Sequence, residues 1–330
     1  MGCGEPVFPA RIRRGEDRLT RVVFMGSPED AVIVLDALAS ASYEVVAVYT
    51  RPDTPAGRSR IPLPTAVRRR AEELRLHVET PNSLRDRAVI DQLAQFRADA
   101  FVVAAYGRLI PEAALKLPRL GALNLHPSLL PRHRGPSPVS SAILQGDSVT
   151  GVTIMLLDEG MDTGPVVSQS QPVPIEETDT GSNLTTRLFR VGAPLLIEAL
   201  GRLAAGTAAP TPQDPAKATV TRLLQRSDGQ LDWTRPAEYL ARMTRAYDPW
   251  PGTFTRWAGR SLKVLEATAV SGDGIDGEPG TVRSRPGGLF VIAGDSMLQV
   301  LRLQLEGRSP QAAAEFLRGH PQIDGAKLGA

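Results

Sequence analysis

Three side chains with complementary chemistry stand near the ends of apolar runs in the sequence. Asn124 and His126 lie in the stretch Asn-Leu-His-Pro-Ser-Leu-Leu-Pro at residues 124–131, and Asp162 lies further along the chain, close to Gly164. An amide donates to a developing negative oxygen, an imidazole donates or moves a proton, and a carboxylate orients the imidazole or a water molecule. The combination predicts acyl-group chemistry that passes through an oxyanion intermediate.

The sequence also indicates how an acyl group would move. It has no Gly-x-Ser-x-Gly motif for a serine nucleophile, and Cys3 is its single thiol. A covalent acyl-enzyme intermediate needs a nucleophile that is activated in such a setting. Direct transfer to an external nucleophile is therefore favoured.

Each of the three residues also has a structural interpretation. An isolated asparagine often satisfies backbone groups in a turn, an isolated histidine is more often structural than catalytic, and Asp162 suits a turn beside Gly164. Their joint placement just beyond strand ends favours a site, because open α/β sheets bind ligands at that edge.

The composition restricts the class of protein. Hydrophobic residues make up 42% of the chain and charged residues 22%, as is typical of soluble globular proteins. One cysteine excludes an internal disulfide. The four histidines are scattered and lack the spacing of zinc ligands, so the sequence does not predict a metal site.

No apolar run approaches the roughly 20 residues of a membrane span, and the arginine-rich start of the chain does not resemble a secretory signal. A cytoplasmic location without a membrane partner is expected, and the net charge of +2 leaves a nucleic-acid partner open.

The elements that position the three residues follow an α/β pattern. Residues 21–28 and 43–50 read as strands around a helix at 29–40, which is a β-α-β unit with a right-handed crossover. The loop after the first strand has a single glycine, Gly26, and lacks the Gly-x-Gly-x-x-Gly fingerprint of dinucleotide binding. Further strands are expected at residues 100–106, 121–125, 150–158 and 166–173. The fold class is therefore α/β, a Rossmann-like, mostly parallel sheet with helices on both faces.

The pattern changes in the last third of the chain. Residues 205–220 are rich in Ala, Pro and Thr and have no periodic apolar face, which predicts a linker. A helix at 236–247 then precedes five short strand-like runs separated by Gly, Pro and Asp turns, which predicts a small OB-like β-barrel. The predicted organisation is a disordered tail at 1–20, a catalytic α/β domain at 21–204, the linker, and a second domain at 221–330 whose final residues fray.

A long basic loop follows the second strand. Residues 51–64 carry several prolines and a glycine, which are incompatible with a helix or an interior strand. The loop presents Arg58 and Arg60, and an arginine-rich helix follows it. A solvated basic face and a contact with phosphates explain this pattern about equally well.

Six stretches of the sequence carry a resemblance to a known family. They lie at residues 23–29, 52–58, 103–111, 124–131, 151–155 with 162–164, and 246–252. The chain from Arg21 to about Gly319 resembles the methionyl-tRNA formyltransferases. Its His-Pro-Ser-Leu-Leu-Pro segment with the later Asp-Thr-Gly is typical of folate-dependent formyltransferases, and its Ala-Tyr-Asp-Pro-Trp-Pro-Gly stretch is typical of the tRNA-directed branch.

The resemblance implies an enzyme that transfers a formyl group from 10-formyltetrahydrofolate to the α-amino group of initiator methionyl-tRNA. It places the formyl-transfer site on Asn124, His126 and Asp162, without a metal, and makes the second domain the part that holds the tRNA. Arg58 and Arg60 are expected to contact phosphates near the acceptor stem. Folate contacts are expected from Ser128, Leu129, Leu130, Pro131, Tyr106, Gly107, Leu157 and Asp158. The enzyme is expected to act as a monomer.

The implied mechanism begins with a neutral α-amine, whose reference pKa of about 7.7–8.0 leaves a substantial neutral fraction at cellular pH. The amine attacks the formyl carbon, and the Asn124 amide and a protonated His126 meet the oxyanion. The Asp162 carboxylate favours the protonated imidazole and positions a water for proton transfer.

The segment after the histidine motif departs from the family pattern. His133 stands where an aromatic residue is usual, and Ser140 and Ser141 replace a Gln-Arg pair. One alternative is formyl transfer to an amino sugar linked to a nucleotide, which would share the first domain. The other is a non-catalytic RNA-binding protein that keeps an inert α/β domain. A formyltetrahydrofolate hydrolase or dehydrogenase is disfavoured, because the chain has no catalytic cysteine or aldehyde-dehydrogenase region.

Overall fold

The computed structural model describes residues 19–56, 61–270 and 277–329. The first part of the chain alternates strands with helices, as its apolar periodicity predicts. Its elements are β1 (Thr20–Gly26), α1 (Glu29–Ser40), β2 (Tyr43–Tyr49), β3 (Thr54–Ala56), β4 (Ile61–Leu63), α2 (Ala66–Glu73), β5 (Val78–Glu79), α3 (Arg87–Gln95), β6 (Ala100–Ala104), α4 (Glu112–Leu115), β7 (Ala122–His126), α5 (Pro138–Gln145), β8 (Val149–Thr150), β9 (Thr153–Leu156), β10 (Val166–Gln169), β11 (Val173–Pro174) and α6 (Gly181–Ala204).

Seven strands in the described part of the chain form one sheet in the order β10-β9-β7-β6-β1-β2-β5. The strands β7, β6, β1, β2 and β5 run parallel, whereas β9 is antiparallel to both β7 and β10. Because the carboxyl ends of parallel strands meet at one edge, the loops after β1, β2, β6 and β7 lie together there. The prediction of a mostly parallel sheet is confirmed.

Helices cover both faces of this sheet. In β1, Val22 and Phe24 pack into a core with α1, α5 and α6, whereas Val23 and Met25 pack into a separate core with α3 and α4. Successive side chains of a strand point to opposite faces, so a strand with a core on each side must be apolar throughout. This explains the continuous apolar run in β1.

The long helix α6 packs against β7, the strand that carries two of the predicted site residues. The helix begins with a capping box, in which Asn183 N donates to Thr180 Oγ1 at 3.3 Å and Thr180 N donates to Asn183 Oδ1 at 2.9 Å. Further along, a Cβ on Gly192 would lie 2.7 Å from Leu125 Cδ1, so the glycine permits a close approach. The α6 side of β7 is therefore filled by apolar packing.

Two local features differ from the expected pattern. Residues 150–158 do not form one strand: β8 ends at Thr150 and β9 begins at Thr153, and a Cβ on the intervening Gly151 would lie 2.5 Å from Leu129 Cδ2. As a result β8 pairs with β11 in a separate ribbon, and β9 joins the main sheet. The basic loop contains the hairpin β3–β4, in which Pro55 is opposite Pro62. Prolines are compatible with a two-stranded ribbon because each strand keeps a free edge.

The last part of the chain is mainly antiparallel sheet. Three short 3-10 turns lie at Pro215–Lys217, Arg226–Gly229 and Pro321–Ile323. The remaining elements are α7 (Ala237–Ala246), β12 (Thr253–Trp257), β13 (Arg260–Val270), β14 (Val282–Arg285), β15 (Gly288–Ile292), β16 (Met297–Leu305), β17 (Gln311–Ala312) and α8 (Ala313–Gly319).

These strands pair in the order β12-β13-β16-β15-β14, all antiparallel, and β17 pairs with β16. The end of the chain lies between the two edge strands: Gly329 N donates to Arg256 O of β12, and Val282 N of β14 donates to Ala326 O, both at 2.9 Å. Leu328 is buried. The terminal segment thus connects the two edges in the way expected of a small barrel. The prediction that the described part of this tail frays is wrong, because both its backbone and an apolar side chain are held.

The two parts of the molecule are packed together. Helix α7 lies against α5, where Arg242 Nε donates to Leu144 O at 3.1 Å. At the start of α6, a Cβ on Gly181 would lie 2.8 Å from Ala246 O at the end of α7. Buried residues of both parts belong to one apolar core cluster. The second part is therefore held by direct packing as well as by the chain that joins it to the first.

Candidate active site

Strand β7 places two of the predicted site residues on one face of the sheet. Asn124 and His126 alternate with Leu123 and Leu125, which belong to the core on the α6 side. Ala122 belongs to the core on the opposite side, so the face of Asn124 and His126 is the one covered by α3 and α4. The amide and the imidazole therefore project in the same direction.

The loop between β9 and β10 brings Asp162 to the same place. Because β9 is antiparallel to β7, its last residue, Leu156, pairs with Leu123 near the start of β7. Asp162 Oδ2 nevertheless lies 3.5 Å from His126 Nδ1, at the end of β7. The sequence predicts that all three residues follow strands that end at the same edge of the sheet. This is wrong for Asp162, because β9 ends near the start of β7 and the loop after β9 returns to the end of β7, where His126 lies.

A short hydrogen-bond network fixes the imidazole and the carboxylate. His126 Nε2 lies 2.9 Å from His133 O, and because a carbonyl only accepts, Nε2 carries the hydrogen. Gly135 N donates to Asp162 Oδ2 at 2.7 Å. The loop at residues 131–137 thus contacts both groups through its backbone.

The surroundings of His126 affect the protonation state of its imidazole in the free protein. Burial lowers the pKa of His126, and the Asp162 carboxylate offsets part of this change. The neutral ring has its hydrogen on Nε2, so the Nδ1 lone pair faces Asp162. This differs from the protonated ring expected from the sequence. Asp162 is placed to stabilise the positive charge that appears when Nδ1 takes up a proton.

The Asn124 amide is available to a ligand. Asn124 is half-buried, and its side chain makes no hydrogen bond within the described ranges. Its two N–H donors therefore remain unused by the protein. A free amide beside a buried, carboxylate-paired imidazole is the arrangement that an oxyanion reaction requires.

The expected folate segment at residues 128–131 divides into two kinds of residue. Ser128 is fully buried, and its hydroxyl donates to a backbone carbonyl at 2.7 Å. Leu130 is also buried. Leu129 and Pro131 are half-buried. Ser128 and Leu130 therefore shape the turn, and Leu129 and Pro131 are the side chains that a ligand can reach.

The two expected folate residues after β6 also differ from each other. Tyr106 is buried, and burial raises the pKa of its phenol to about 12. Gly107 is exposed and adopts a φ of +75°, which favours glycine. The side chain of Arg51 lies beside it, 3.7 Å from the position of a Cβ. A ligand can therefore reach the backbone of Gly107, whereas the Tyr106 side chain belongs to the core.

Leu157 and Asp158 line an open cavity of about 400 Å³. The other lining residues are Glu112, Leu115, Lys116, Glu159 and Gly160. Thr163 Oγ1 donates to Asp158 Oδ1 at 2.7 Å, which ties this part of the loop to the turn that carries Asp162. The cavity is next to the loop of Asp162 but does not include His126 among its lining residues.

The expected tRNA contacts Arg58 and Arg60 lie outside the described residues. On the helix that follows, Arg68 and Arg70 each contact two carboxylates at 2.7–2.8 Å. Paired guanidinium groups attract phosphates less than free ones. The contact expected of Arg58 and Arg60 stays a prediction, and α2 contributes less free positive charge than its sequence indicates.

Three further contacts at the site were not expected from the sequence. Gln213 Nε2 donates to Asp162 O at 2.8 Å, Thr219 Oγ1 accepts from His133 N at 2.8 Å, and Thr221 N donates to Arg134 O at 2.7 Å. Gln213 and Thr219 lie in the segment predicted to be a linker, residues 205–220, and Thr221 follows it directly. Their partners lie dozens of residues earlier in the chain, so no local periodicity could indicate them.

Replacing Gly135 with alanine tests how tightly the loop at 131–137 is held. Gly135 adopts a φ of +101°, and a Cβ there would lie 2.6 Å from Thr221 O. We expect the free energy of unfolding, measured by urea denaturation, to fall by about 2–4 kcal/mol. Gly206→Ala is the matched control, because Gly206 has a φ of +68° with open space around it. It should cost about 1 kcal/mol. Equal losses for the two variants would show that the Thr221 contact is unimportant.

The described ranges contain no group of three or more His, Cys, Asp or Glu residues that could hold a metal ion. In the same ranges, every helix is too short or too polar to cross a membrane.

Solved structures share this fold. HypX from Aquifex aeolicus in complex with tetrahydrofolic acid matches with a TM-score of 0.63 at 18% identity, covering 91% of this chain and 47% of that chain. WlaRD, a sugar 3N-formyl transferase, matches with a TM-score of 0.62 at 14% identity, covering 88% of this chain and 100% of that chain. At these identities the likeness concerns the fold.

Sequence comparisons are more specific. The formyl transferase family model matches residues 20–200, and the model of the formyl transferase C-terminal domain matches residues 223–321. A methionyl-tRNA formyltransferase of Roseiflexus castenholzii is 47% identical over 94% of this chain and 99% of that relative. One of Gluconobacter oxydans is 44% identical over 93% of this chain and 99% of that relative. The chain therefore belongs to the formyl transferase family and, within it, to the methionyl-tRNA formyltransferases.

Proposed function

We propose that the protein transfers the formyl group of 10-formyltetrahydrofolate to the α-amino group of methionine esterified to initiator tRNA. The observation that carries this proposal is the arrangement of Asn124, His126 and Asp162, in which a free amide accompanies a buried imidazole that faces a carboxylate. Such a site suits a neutral amine nucleophile and an acyl group that passes through an oxyanion. Relatives named for this reaction match nearly the whole chain.

Asn124 is the proposed oxyanion donor. As the amine attacks the formyl carbon, the π electrons of the carbonyl move to its oxygen, and the Asn124 amide donates to that negative oxygen. A donor that is fixed before the reaction costs no reorganisation at the moment when charge develops. The N–H groups of Asn124 are unused by the described residues of the protein and project from β7 on the same face as His126, so they are available to make this bond.

His126 is the proposed proton carrier. Its Nδ1 accepts the proton that the attacking nitrogen loses, and Asp162 stabilises the imidazolium that forms. The oxyanion electrons then reform the carbonyl, the bond from the formyl carbon to N10 of the folate breaks, and N10 takes the proton from His126. The products are N-formylmethionyl-tRNA and tetrahydrofolate, and the ring is neutral again.

We choose the proposed folate-binding residues by the exposure of their side chains and backbone to solvent. Leu129, Pro131 and the backbone of Gly107 are accessible to the folate, and Leu157 and Asp158 line the neighbouring cavity. Ser128, Leu130 and Tyr106 would act by shaping those loops. We assign tRNA phosphate contacts to Arg58 and Arg60, and tRNA binding to the domain at 221–330, which follows the linker at 205–220.

Formylation by the purified protein tests this function. The protein is incubated with 10-formyltetrahydrofolate labelled in the formyl group and, separately, with methionyl-tRNA, uncharged tRNA and a nucleotide-linked amino sugar. We expect label to enter methionyl-tRNA and neither of the other two acceptors. Label on the amino sugar alone would establish the rival transferase. Binding of tRNA without any affinity for the folate would establish a non-catalytic RNA-binding protein.

A further inference from the structure

The segment at residues 211–221, here called the strap, lies across the two loops that surround His126 and Asp162. At one end, Thr211 and Val166 exchange backbone hydrogen bonds in both directions at 2.8 Å, which attaches the strap to the start of β10. At the other end, Val220 pairs with Arg134 in the loop after β7. The strap therefore bridges the loop that carries Asp162 and the loop at 131–137.

Two threonines hold the loop at 131–137 by its backbone. Thr219 Oγ1 accepts from His133 N, and Thr219 O accepts from Arg134 N, both at 2.8 Å. Thr221 N donates to Arg134 O at 2.7 Å. These bonds fix the peptide units on either side of the carbonyl of His133, which receives the hydrogen of His126 Nε2. The strap thus determines where the partner of the imidazole lies.

Gln213 ties the two loops together with one side chain. Its Nε2 donates to Asp162 O and to Gly164 O, each at 2.8 Å, and its Oε1 accepts from Arg134 Nε at 2.9 Å. Both amide hydrogens and the amide oxygen are therefore in use. The side chain is half-buried between the loops. No other polar group on the strap contacts Asp162 within the described residues.

The backbone conformation of Asp162 indicates what the contact with Gln213 does. Asp162 has a φ of 54°, in the left-handed region, which is uncommon for residues other than glycine although aspartate is among those that adopt it more often. Gln213 binds the carbonyl of that same residue. Since a displacement of about 1 Å at a catalytic group can cost on the order of 100-fold in rate, the backbone conformation of Asp162 matters to the chemistry.

We propose that Gln213 is a positioning residue, which acts through Asp162 by holding its backbone so that the carboxylate faces His126 Nδ1. This inference rests on the proposed function of Asp162. It makes the strap a structural part of the active site as well as a connection between domains.

The test compares three variants in single-turnover formyl transfer. Gln213→Ala removes all three bonds. Gln213→Glu keeps the acceptor for Arg134 but removes the amide hydrogens that bind Asp162 and Gly164. The matched control is Gln92→Ala, because the half-buried Gln92 also donates a hydrogen bond through its Nε2, to Glu79 Oε1 at 2.6 Å, and is not among the proposed catalytic, folate or tRNA residues. Both Gln213 variants should lower kcat about 10- to 100-fold, with KM for the folate within about twofold, and the control should match the parent enzyme.

A double-mutant cycle separates positioning from a general structural role. In an Asp162→Ala background, Gln213→Ala should cost about twofold or less, because the group through which it acts is gone. The same loss in both backgrounds would overturn the proposal. So would a loss in which KM for the folate rises and kcat stays constant.

A second measurement needs no acceptor. In protein labelled with ¹⁵N-histidine, the ring resonances of His126 should shift in both Gln213 variants and not in Gln92→Ala, because only the Gln213 variants change the field of Asp162 at Nδ1. Unchanged His126 resonances would overturn the proposal, whatever the acceptor. If these resonances shift while the parent enzyme fails to formylate methionyl-tRNA, the positioning role holds and the proposed function falls.

Discussion

Replacing Asn124 with alanine is expected to lower kcat about 100- to 1000-fold, since loss of one oxyanion donor typically costs this much. KM for 10-formyltetrahydrofolate should stay within about twofold, because the amide donates to an oxygen whose negative charge exists only during the reaction. Single-turnover formyl transfer at saturating folate measures the loss directly. Folate affinity that disappears together with the rate would show that Asn124 binds the ground state instead.

Two further variants separate hydrogen-bond donation by Asn124 from packing. Asn124→Asp keeps the size of the side chain but replaces its donors with acceptors, so it should lose at least as much rate as the alanine variant. Asn82→Ala removes an exposed amide that is not among the proposed site residues and should leave kcat unchanged. An active Asn124→Asp enzyme would contradict the oxyanion role.

Replacing Asp162 with asparagine is expected to lower kcat about 100- to 10,000-fold, the range associated with loss of proton-transfer assistance. Asparagine keeps an oxygen that can accept from Gly135 N, so the loop should hold its place. What disappears is the negative charge that faces His126 Nδ1 and stabilises the imidazolium. Because that charge raises the pKa of His126, the variant should have an even lower His126 pKa, visible by ¹⁵N NMR.

The control for this variant is Asp36→Asn. Asp36 contacts Arg70 at 2.7 Å on a partly exposed surface, where an ion pair contributes about 0–1 kcal/mol, so activity should not change. If Asp162→Asn retains the activity of the parent enzyme, His126 does not need a counter-charge, and the proton must travel by another route.

Several features of the fold could be predicted because their signals are local. The apolar run of β1 and the spacing of α1 are visible within a few residues, and β1 and α1 occur where expected. Asn124 and His126 share a face because a strand alternates with a period of two. Such features depend on propensity and pattern, which the sequence contains directly.

Other features depend on contacts between distant residues. The pKa of His126 is lowered by burial, which no sequence pattern around His126 measures, and the expectation of a protonated ring followed from considering Asp162 alone. Gln213 stands in a stretch without periodicity, yet it binds a residue 51 positions away. The end of the chain is held by two edge strands of a sheet, and one of them begins more than seventy residues earlier. These arrangements exist only after the chain has folded.

The pH dependence of single-turnover formyl transfer to methionyl-tRNA tests the neutral imidazole most directly. Since the pKa of His126 lies below its ordinary value of 6.5, the ring stays neutral from there upward, and only the α-amine should titrate. We expect the rate to rise with pH through one ionisation, near the amine pKa of about 7.7–8.0, and then to level off. A rate that falls as the pH rises above about 6.5 would mean that a protonated imidazole is required, and the proposed role of His126 as a proton acceptor would be wrong.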